Sequence, residues 1–156
     1  MNWDFDLPNI KQANCMRVLI VDDDSAMAEL TAECLMMDPA VLVRTAGDGA
    51  SALRAAAEFE PEVVLLDVEL PDVSGLELAP QLKARGSRVV PRIIIFSGSV
   101  QEADFKFLPD GVEAWLTKPA QLDALLDRIF RPTASKNGCS DRISHHVLKG
   151  VLRSPP

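Results

Sequence analysis

The 156-residue sequence has no long apolar run and few cysteines. No uninterrupted apolar stretch approaches the roughly 20 residues that span a bilayer, and the first residues lack the basic start and apolar segment of a signal peptide. Cys15, Cys34 and Cys139 are odd in number and have no spacing typical of a metal site or redox pair. We therefore expect a cytoplasmic protein with reduced thiols and no membrane contact.

A basic surface and a glycine-rich phosphate loop are also missing. Residues 1–130 carry 11 Lys/Arg against 22 Asp/Glu, whereas residues 131–156 carry five basic residues and one acidic residue. The acidic body therefore disfavours binding to nucleic acid. Neither Gly-x-Gly-x-x-Gly nor a P-loop pattern occurs, which disfavours a nucleotide site.

The chain does have a regular alternation of two kinds of segment between residues 16 and 131. Short β-branched runs occupy 17–21, 40–44, 62–66, 92–96 and 112–116, and stretches rich in Ala, Leu, Glu, Lys and Arg occupy 26–37, 49–59, 75–85, 101–107 and 120–130. Several of the β-branched runs are almost wholly apolar, as in parallel strands buried on both faces. The alternation predicts one α/β domain, a doubly wound five-stranded parallel sheet with helices on both faces.

Two local features qualify the helix predictions. Pro80 falls inside the third helical stretch, so that helix either starts near Pro80 or is kinked there. Asp24 or Ser25 is expected to cap the first helix. Residues 1–15 and 132–156 lie outside the alternation and are interpreted as extensions of a domain at 16–131.

Reactive side chains follow four of the five predicted strands. The first strand ends in Asp22, Asp23 and Asp24, the third in Asp67, the fourth in Ser97 and Gly98, and the fifth leads to Lys118. In open α/β sheets, ligands bind beyond the carboxyl ends of the strands. With strand order 2-1-3-4-5 the first and third strands are neighbours, so their acidic residues are predicted to lie close together.

This combination predicts phosphoryl-transfer chemistry. Clustered carboxylates repel one another unless a cation holds them, and oxygen ligands without Cys or His favour Mg²⁺. Lys118 supplies positive charge, the Ser97 hydroxyl and the Gly98 amide supply donors, and a carboxylate nucleophile yields an acyl phosphate. Each residue alone has an ordinary reading as a cap, a turn or a surface charge; their joint occurrence at four strand ends favours a site.

These residues resemble the receiver domain of response regulators in two-component signalling. The resemblance is carried by residues 18–24, 64–67, 70–75, 95–98 and 115–119 and covers about 16–131. The spacings also agree, with 44 residues from Asp23 to Asp67 and 30 from Asp67 to Ser97. The resemblance implies the flavodoxin-like receiver fold with strand order 2-1-3-4-5.

The resemblance implies a role for each acidic residue. Asp67 corresponds to the phosphoryl acceptor. Asp23 corresponds to a direct Mg²⁺ ligand and Asp22 to one acting largely through water. Asp67 and the backbone carbonyl of Glu69 would complete the set of protein ligands to Mg²⁺.

Further roles are implied for the residues after the fourth and fifth strands. Ser97 takes the place of the switch hydroxyl, Lys118 that of the lysine contacting the phosphoryl group, and Gly98 that of a phosphoryl-binding amide. Trp115 stands where the family commonly has Tyr or Phe as a rotating aromatic, and the bond between Lys118 and Pro119 is expected to be cis.

Other departures from the family pattern are local. Glu69 adds a carboxylate at the rim of the site, and Ala120 stands where an aromatic is common. The 21 residues from Ser97 to Lys118 are about one fewer than usual, so the fourth helix is expected to be short. These departures concern the output surface more than the phosphorylation chemistry.

The function implied is that of a stand-alone regulator rather than an enzyme with turnover. A sensor histidine kinase or phosphotransfer protein would donate the phosphoryl group, and binding of a downstream protein would change. A DNA-binding domain would not fit in the 25 residues after Arg131, so no nucleic acid partner is expected, and a homodimer is left open. The alternatives are an intermediate phosphoryl relay, a pseudo-receiver that only binds proteins, and a haloacid-dehalogenase-like phosphatase. The phosphatase would need an Asp where Glu69 stands.

The basic segment 132–156 has two interpretations. Ser140 is a candidate N-cap, and apolar residues at helical spacing follow it: Ile143, Val147, Leu148, Val151 and Leu152. One interpretation is a short amphipathic helix that docks on the acidic body; the other is a disordered tail.

Overall fold

The computed structural model describes residues 15–85, 88–99 and 108–132. Five strands and four helices lie in these residues: β1 (Met16–Val21), α1 (Ser25–Met36), β2 (Val41–Ala46), α2 (Gly49–Phe59), β3 (Val63–Leu66), α3 (Gly75–Arg85), β4 (Arg92–Ser97), β5 (Val112–Thr117) and α4 (Leu122–Phe130). The helix predicted at 101–107 and the extensions 1–14 and 133–156 lie outside the described residues. Helix α4 is therefore the fifth predicted helical stretch.

The strands form one parallel sheet in the order β2-β1-β3-β4-β5, which confirms the predicted topology. Val21, the last residue of β1, pairs with Ala46 of β2 and with Leu66 of β3. All four residues of β3 are buried, as expected for a central strand covered on both faces. The carboxyl ends of β1 and β3 are therefore adjacent at one edge of the sheet.

Two apolar layers cover the sheet. On one face, side chains of α1 and α4 such as Ala32 and Leu125 pack with β-strand residues such as Ile20. On the other face, α2 and α3 pack with residues that include Leu19 and Trp115. This places the sheet between helices on both sides, so the site at its edge rests on a rigid scaffold. Within the described ranges, no helix combines the length and apolar character needed to cross a membrane.

Helix α3 shows how Pro80 is accommodated. The helix begins at Gly75, so the interpretation that it starts near Pro80 is wrong. The amides of Glu77 and Leu78 already bond to the carbonyl of Ser74, each at 3.0 Å, and these bonds establish the first turn ahead of the proline. Pro80 is exposed and removes one intrahelical hydrogen bond soon after that turn, a loss that the helix tolerates.

Polar side chains fix two helix starts. Asp24 is the N-cap of α1 and accepts a hydrogen bond from the amide of Met27 at 3.2 Å, which selects Asp24 over Ser25. Asp48 caps α2 by accepting from the amide of Ser51 at 2.7 Å, and the Ser51 hydroxyl accepts from the Asp48 amide in return. Both helices therefore begin immediately after the strand ends where the site lies.

Arg92 ties the opposite end of the sheet together. Its guanidinium donates two hydrogen bonds of 2.8 Å to the carboxylate of Glu113 in β5. It also donates to the carbonyls of Ile129 at 2.7 Å and Arg128 at 2.8 Å, in the last turn of α4. One side chain thus joins β4, β5 and α4.

Candidate functional site

Main-chain hydrogen bonds continue past the strand ends and hold two aspartates side by side. The amide of Asp67, just after β3, donates to the carbonyl of Val21 in β1 at 2.9 Å. The amide of Asp22, just after β1, donates to the carbonyl of Ala46 in β2 at 3.0 Å. The sheet itself therefore brings together residues that are distant in sequence.

Asp22, Asp23 and Asp67 form an acidic cluster at this edge. A carboxylate oxygen of each lies within 4.8 Å of the others. Asp22 is buried, Asp23 is exposed and Asp67 is half-buried. The group offers hard oxygen ligands and contains no Cys or His, with one side open to solvent. These residues therefore fit Mg²⁺, which prefers carboxylate oxygens and keeps several waters.

Lys118 enters the cluster from the end of β5. Its ammonium donates to the carboxylate of Asp22 and, at 3.1 Å, to that of Asp67. The bond from Lys118 to Pro119 is cis, as the resemblance implies, and the Lys118 amide bonds to the carbonyl of Ser97 at 3.1 Å. The structure therefore brings together the side chains of Asp22, Asp67 and Lys118, which the sequence predicts to lie close, and their chemical roles stay predictions.

The charge of Lys118 is held by its neighbours. Burial disfavours the ammonium and by itself lowers its pKa, but hydrogen bonds and opposite charge from Asp22 and Asp67 outweigh burial and raise the pKa above its ordinary value. Lys118 is thus a fixed positive charge at neutral pH, placed against the half-buried carboxylate of Asp67.

Ser97 lies at the same edge but bonds elsewhere. Its hydroxyl is buried and lies 3.1 Å from the hydroxyl of Ser99. A side chain at Gly98 would approach the stem of Lys118 at 4.0 Å, an ordinary contact. The structure therefore places Ser97 and Gly98 beside Lys118, and their contacts with a phosphoryl group stay predictions.

The loop after β3 is shaped around Asp67. The amide of Glu69 donates to the Asp67 carboxylate at 3.3 Å. The amide of Gly75 donates to the carbonyl of Val68 at 2.8 Å. A Cβ at Gly75 would lie 2.0 Å from the Asp67 carbonyl oxygen, so only glycine fits. The start of α3 thus packs directly on the backbone of the candidate acceptor. The Glu69 carbonyl stays a predicted ligand.

Asp72 has a structural role that the sequence analysis missed. Its carboxylate accepts hydrogen bonds from the amides of Gly49 at 2.8 Å and Ala50 at 3.1 Å, at the start of α2. These amides are left without partners inside the helix, and the helix dipole also favours a carboxylate there. The only sequence signal was an Asp within the segment 70–75. Asp72 fastens the acceptor loop to α2.

Trp115 is buried, with 8% of its surface exposed, and belongs to the core layer beneath α2 and α3. Its indole Nε1 is buried and has no hydrogen-bond partner in the part of the chain that the structure describes. A buried N–H without a partner costs on the order of 1–3 kcal/mol. Trp115 is therefore buried with one polar group that has no partner among the described residues, and its role as a rotating aromatic stays a prediction.

Comparison with known families decides the class. Residues 18–130 match the family described as the response regulator receiver domain. The chain belongs to this family. Two-component signalling, Mg²⁺ and phosphorylation are typical of response regulator receivers. The family membership favours the receiver over the haloacid-dehalogenase-like alternative.

Curated relatives agree with this membership. The chain is 35% identical over 143 residues to a protein-glutamate methylesterase/protein-glutamine glutaminase of Koribacter versatilis, covering 90% of this chain and 37% of that protein. It is 34% identical over 112 residues to the probable transcriptional regulatory protein TcrX of Mycobacterium tuberculosis, covering 72% of this chain and 47% of that protein. The receiver thus spans less than half of either relative, and the remaining parts of those proteins have no counterpart in the match.

Solved structures share the fold. A CheY-like response regulator receiver domain protein from Methanospirillum hungatei matches with a TM-score of 0.65 and 28% identity, over 74% of this chain and 91% of that one. The response regulator domain of Thermotoga maritima CheB matches with a TM-score of 0.65 and 27% identity, over 76% of this chain and 96% of that one. The receiver occupies nearly the whole length of both structures.

Proposed function

We propose that this receiver accepts a phosphoryl group on Asp67 in a Mg²⁺-dependent reaction and thereby changes its binding to a protein partner. The observation that carries the proposal is the position of Asp67: its carboxylate contacts Lys118 at 3.1 Å and belongs to a cluster with Asp22 and Asp23. A carboxylate in this setting has both a fixed cation and a place for a metal ion.

The proposed chemistry is one in-line displacement. An Asp67 carboxylate oxygen forms a bond to phosphorus while the bond from phosphorus to the donor histidine nitrogen breaks, giving an acyl phosphate. Lys118 offsets the negative charge on the phosphoryl oxygens, and the Gly98 amide and the Ser97 hydroxyl donate to them. Mg²⁺ held by Asp23, Asp67 and the Glu69 carbonyl, with Asp22 through water, would supply further positive charge.

The donor is proposed to be a sensor histidine kinase or a phosphotransfer protein. The recipient of the signal is proposed to be a protein, because the body of the chain is strongly acidic and repels nucleic acid phosphates. The chain would catalyse only its own phosphorylation and dephosphorylation. That the chain functions without an attached output domain stays a prediction, and so does its location in the cytoplasm.

The proposed switch links Asp67 to Trp115 through Ser97. Phosphorylation would draw the Ser97 hydroxyl from Ser99 to the phosphoryl group, and the space released would let Trp115 turn. The indole N–H of Trp115, which has no partner among residues 15–85, 88–99 and 108–132, supports this step, because a rotation that gives it a partner removes an energetic cost. The surface formed by β5, α4 and the helix predicted at 101–107, which lies outside the described residues, would then change its affinity for the partner.

Metal-dependent phosphorylation tests the proposal. The chain is incubated with a small phosphodonor and Mg²⁺ or with a chelator, and Trp115 fluorescence is followed in a Trp3→Phe background. We expect a fluorescence change with Mg²⁺ only, reduced by Asp23→Ala. The matched control is Asp38→Ala, which removes a carboxylate distant from the cluster. Equal phosphotransfer by Asp23→Ala with chelator present would contradict the metal role, and unchanged fluorescence on phosphorylation would contradict the switch.

A further inference from the structure

Within the part of the chain that the structure describes, the outer edge of β2 faces no other strand. Among the described residues, β2 has one neighbouring strand, β1. Ala40 and Ala46 accept main-chain hydrogen bonds from the β1 side. Because alternate residues of a paired strand direct their N–H and C=O groups to opposite edges, Val43 and Thr45 direct theirs outward. This edge can therefore bind an additional strand.

A groove of about 440 Å³ lies beside this edge, between β2 and α1. It is lined by Glu29, Ala32, Glu33, Met36, Val43, Arg44 and Thr45. Met36 is 45% exposed although it is apolar. The two glutamates on α1 make that rim of the groove acidic. Ala32, Met36 and Val43 supply the apolar lining. A strand laid in the groove would therefore present apolar side chains to α1, and acidic side chains there would be repelled by the glutamates.

The first residues of the chain, which lie outside the described part, have this pattern. Residues 3–7 read Trp-Asp-Phe-Asp-Leu and are followed by Pro8. Strict alternation of apolar and polar residues is typical of a strand with one buried face. Proline cannot donate to a ladder and suits the end of such a strand.

We propose that residues 3–7 form a sixth strand, antiparallel to β2 on its free edge. The chain enters the described structure next to the start of β2, where the Cys15 thiol lies 3.6 Å from the carbonyl of Pro39 and the Met16 amide bonds to Ala40 at 2.7 Å. The new strand would lie two strand spacings from β1, about 10 Å away. Residues 8–14 can reach roughly 23 Å when extended, so the connection is long enough.

Charge fixes which face of the new strand meets α1. Trp3, Phe5 and Leu7 pack toward Met36 and Val43 in the groove. The aspartates then face the other side of the sheet.

The positively charged side chain of Arg44 lies on the side of the sheet that packs against α2. It lies 5.0 Å over the ring of Phe59 in α2, and its side chain is 45% exposed even with Glu58 at 3.2 Å. A shift of one residue would exchange the two faces and place the aspartates against Glu29 and Glu33. The charges therefore favour the arrangement in which Trp3, Phe5 and Leu7 face α1.

Backbone hydrogen exchange measured by NMR tests the proposal, on the full chain and on a chain without residues 1–8. We expect the amides of Val43 and Thr45 to be protected in the full chain and to exchange at least about tenfold faster after the deletion. The amide of Arg44, which faces β1, should change little. Phe5→Asp should reproduce the deletion, whereas Asn9→Asp, which adds the same charge beyond the strand, should not.

Three results would overturn the proposal. Val43 and Thr45 could exchange at the same rate in the full and shortened chains, which would show that no strand covers them. Their protection could survive the deletion and rise with protein concentration, which would assign the edge to a second copy. It could instead be lost on removal of residues 133–156, which would assign the groove to the basic C-terminal segment.

Discussion

The ammonium of Lys118 lies 3.1 Å from the carboxylate of Asp67, although 51 residues separate them in the sequence. The same ammonium bonds to Asp22, whose side chain is only 5% exposed. Lys118 therefore has two effects: it neutralises carboxylates that the sheet forces together, and it places a cation where a phosphoryl group would gain negative charge.

Replacing Lys118 with methionine should destabilise the protein by about 3 kcal/mol, because it leaves the buried Asp22 carboxylate without its partner. Adding Mg²⁺ should recover part of that loss, since the metal replaces the missing positive charge. Urea unfolding with and without Mg²⁺ measures both effects. Lys83→Met, at a lysine with no ion pair in the described residues, is the control and should change stability by less than about 0.5 kcal/mol. Equal stability of the two variants would show that the cluster does not depend on Lys118.

Gly75→Ala should disturb the acceptor loop, since the new Cβ would lie 2.0 Å from the Asp67 carbonyl oxygen. We expect a destabilisation of about 2 kcal/mol or more and slower phosphorylation. Gly47→Ala is the matched control, because a Cβ there meets its nearest neighbour, the Asp22 carbonyl, at 3.9 Å. Thermal unfolding and phosphorylation rate would be compared for both variants. The close approach would be refuted by a Gly75→Ala protein as stable and as rapidly phosphorylated as Gly47→Ala.

Stability at low pH should depend on Asp48. The amide of Ser51 donates to its carboxylate and lowers its pKa below the ordinary value of 3.8. A lowered pKa contributes stability that is complete above that value and is lost as the pH falls through the folded-state pKa. The stability advantage of the wild type over Asp48→Asn should therefore shrink below about pH 4. Urea unfolding of both proteins, from pH 7 down to the lowest pH at which unfolding is cooperative, measures this advantage. A difference in stability that stays constant with pH would contradict the dependence of the cap on the charge of Asp48.

The alternation of strands and helices was predictable because β1, β3 and β4 are largely buried and therefore read as apolar runs. The site was predictable because its residues directly follow those runs, so topology alone brings Asp22 beside Asp67. The helical stretch predicted at 75–85 has the bounds that the structure shows, but Pro80 left the position of its first turn open, because the main-chain bonds to Ser74 that start the helix have no local sequence signal.

Other contacts depend on three-dimensional packing that sequence spacing does not encode. Asp72 bonds to the start of α2, which is 22 and 23 residues away. Arg92 bonds to Glu113 and to carbonyls of α4 that are 36 and 37 residues away. A lone Asp or Arg carries no signal for such partners, because the distance between them is set by how helices pack on the sheet.

Phosphoryl transfer to Asp67 is tested most directly by intact mass after incubation with a small phosphodonor and Mg²⁺. The wild-type chain and Asp72→Asn, an aspartate on the same loop that binds α2, should each gain the mass of one phosphoryl group. Asp67→Asn should keep the fold, since amide and carboxylate are similar in size, and gain none. A phosphoryl group on Asp67→Asn, or none on the wild type, would contradict the assignment of Asp67 as the acceptor.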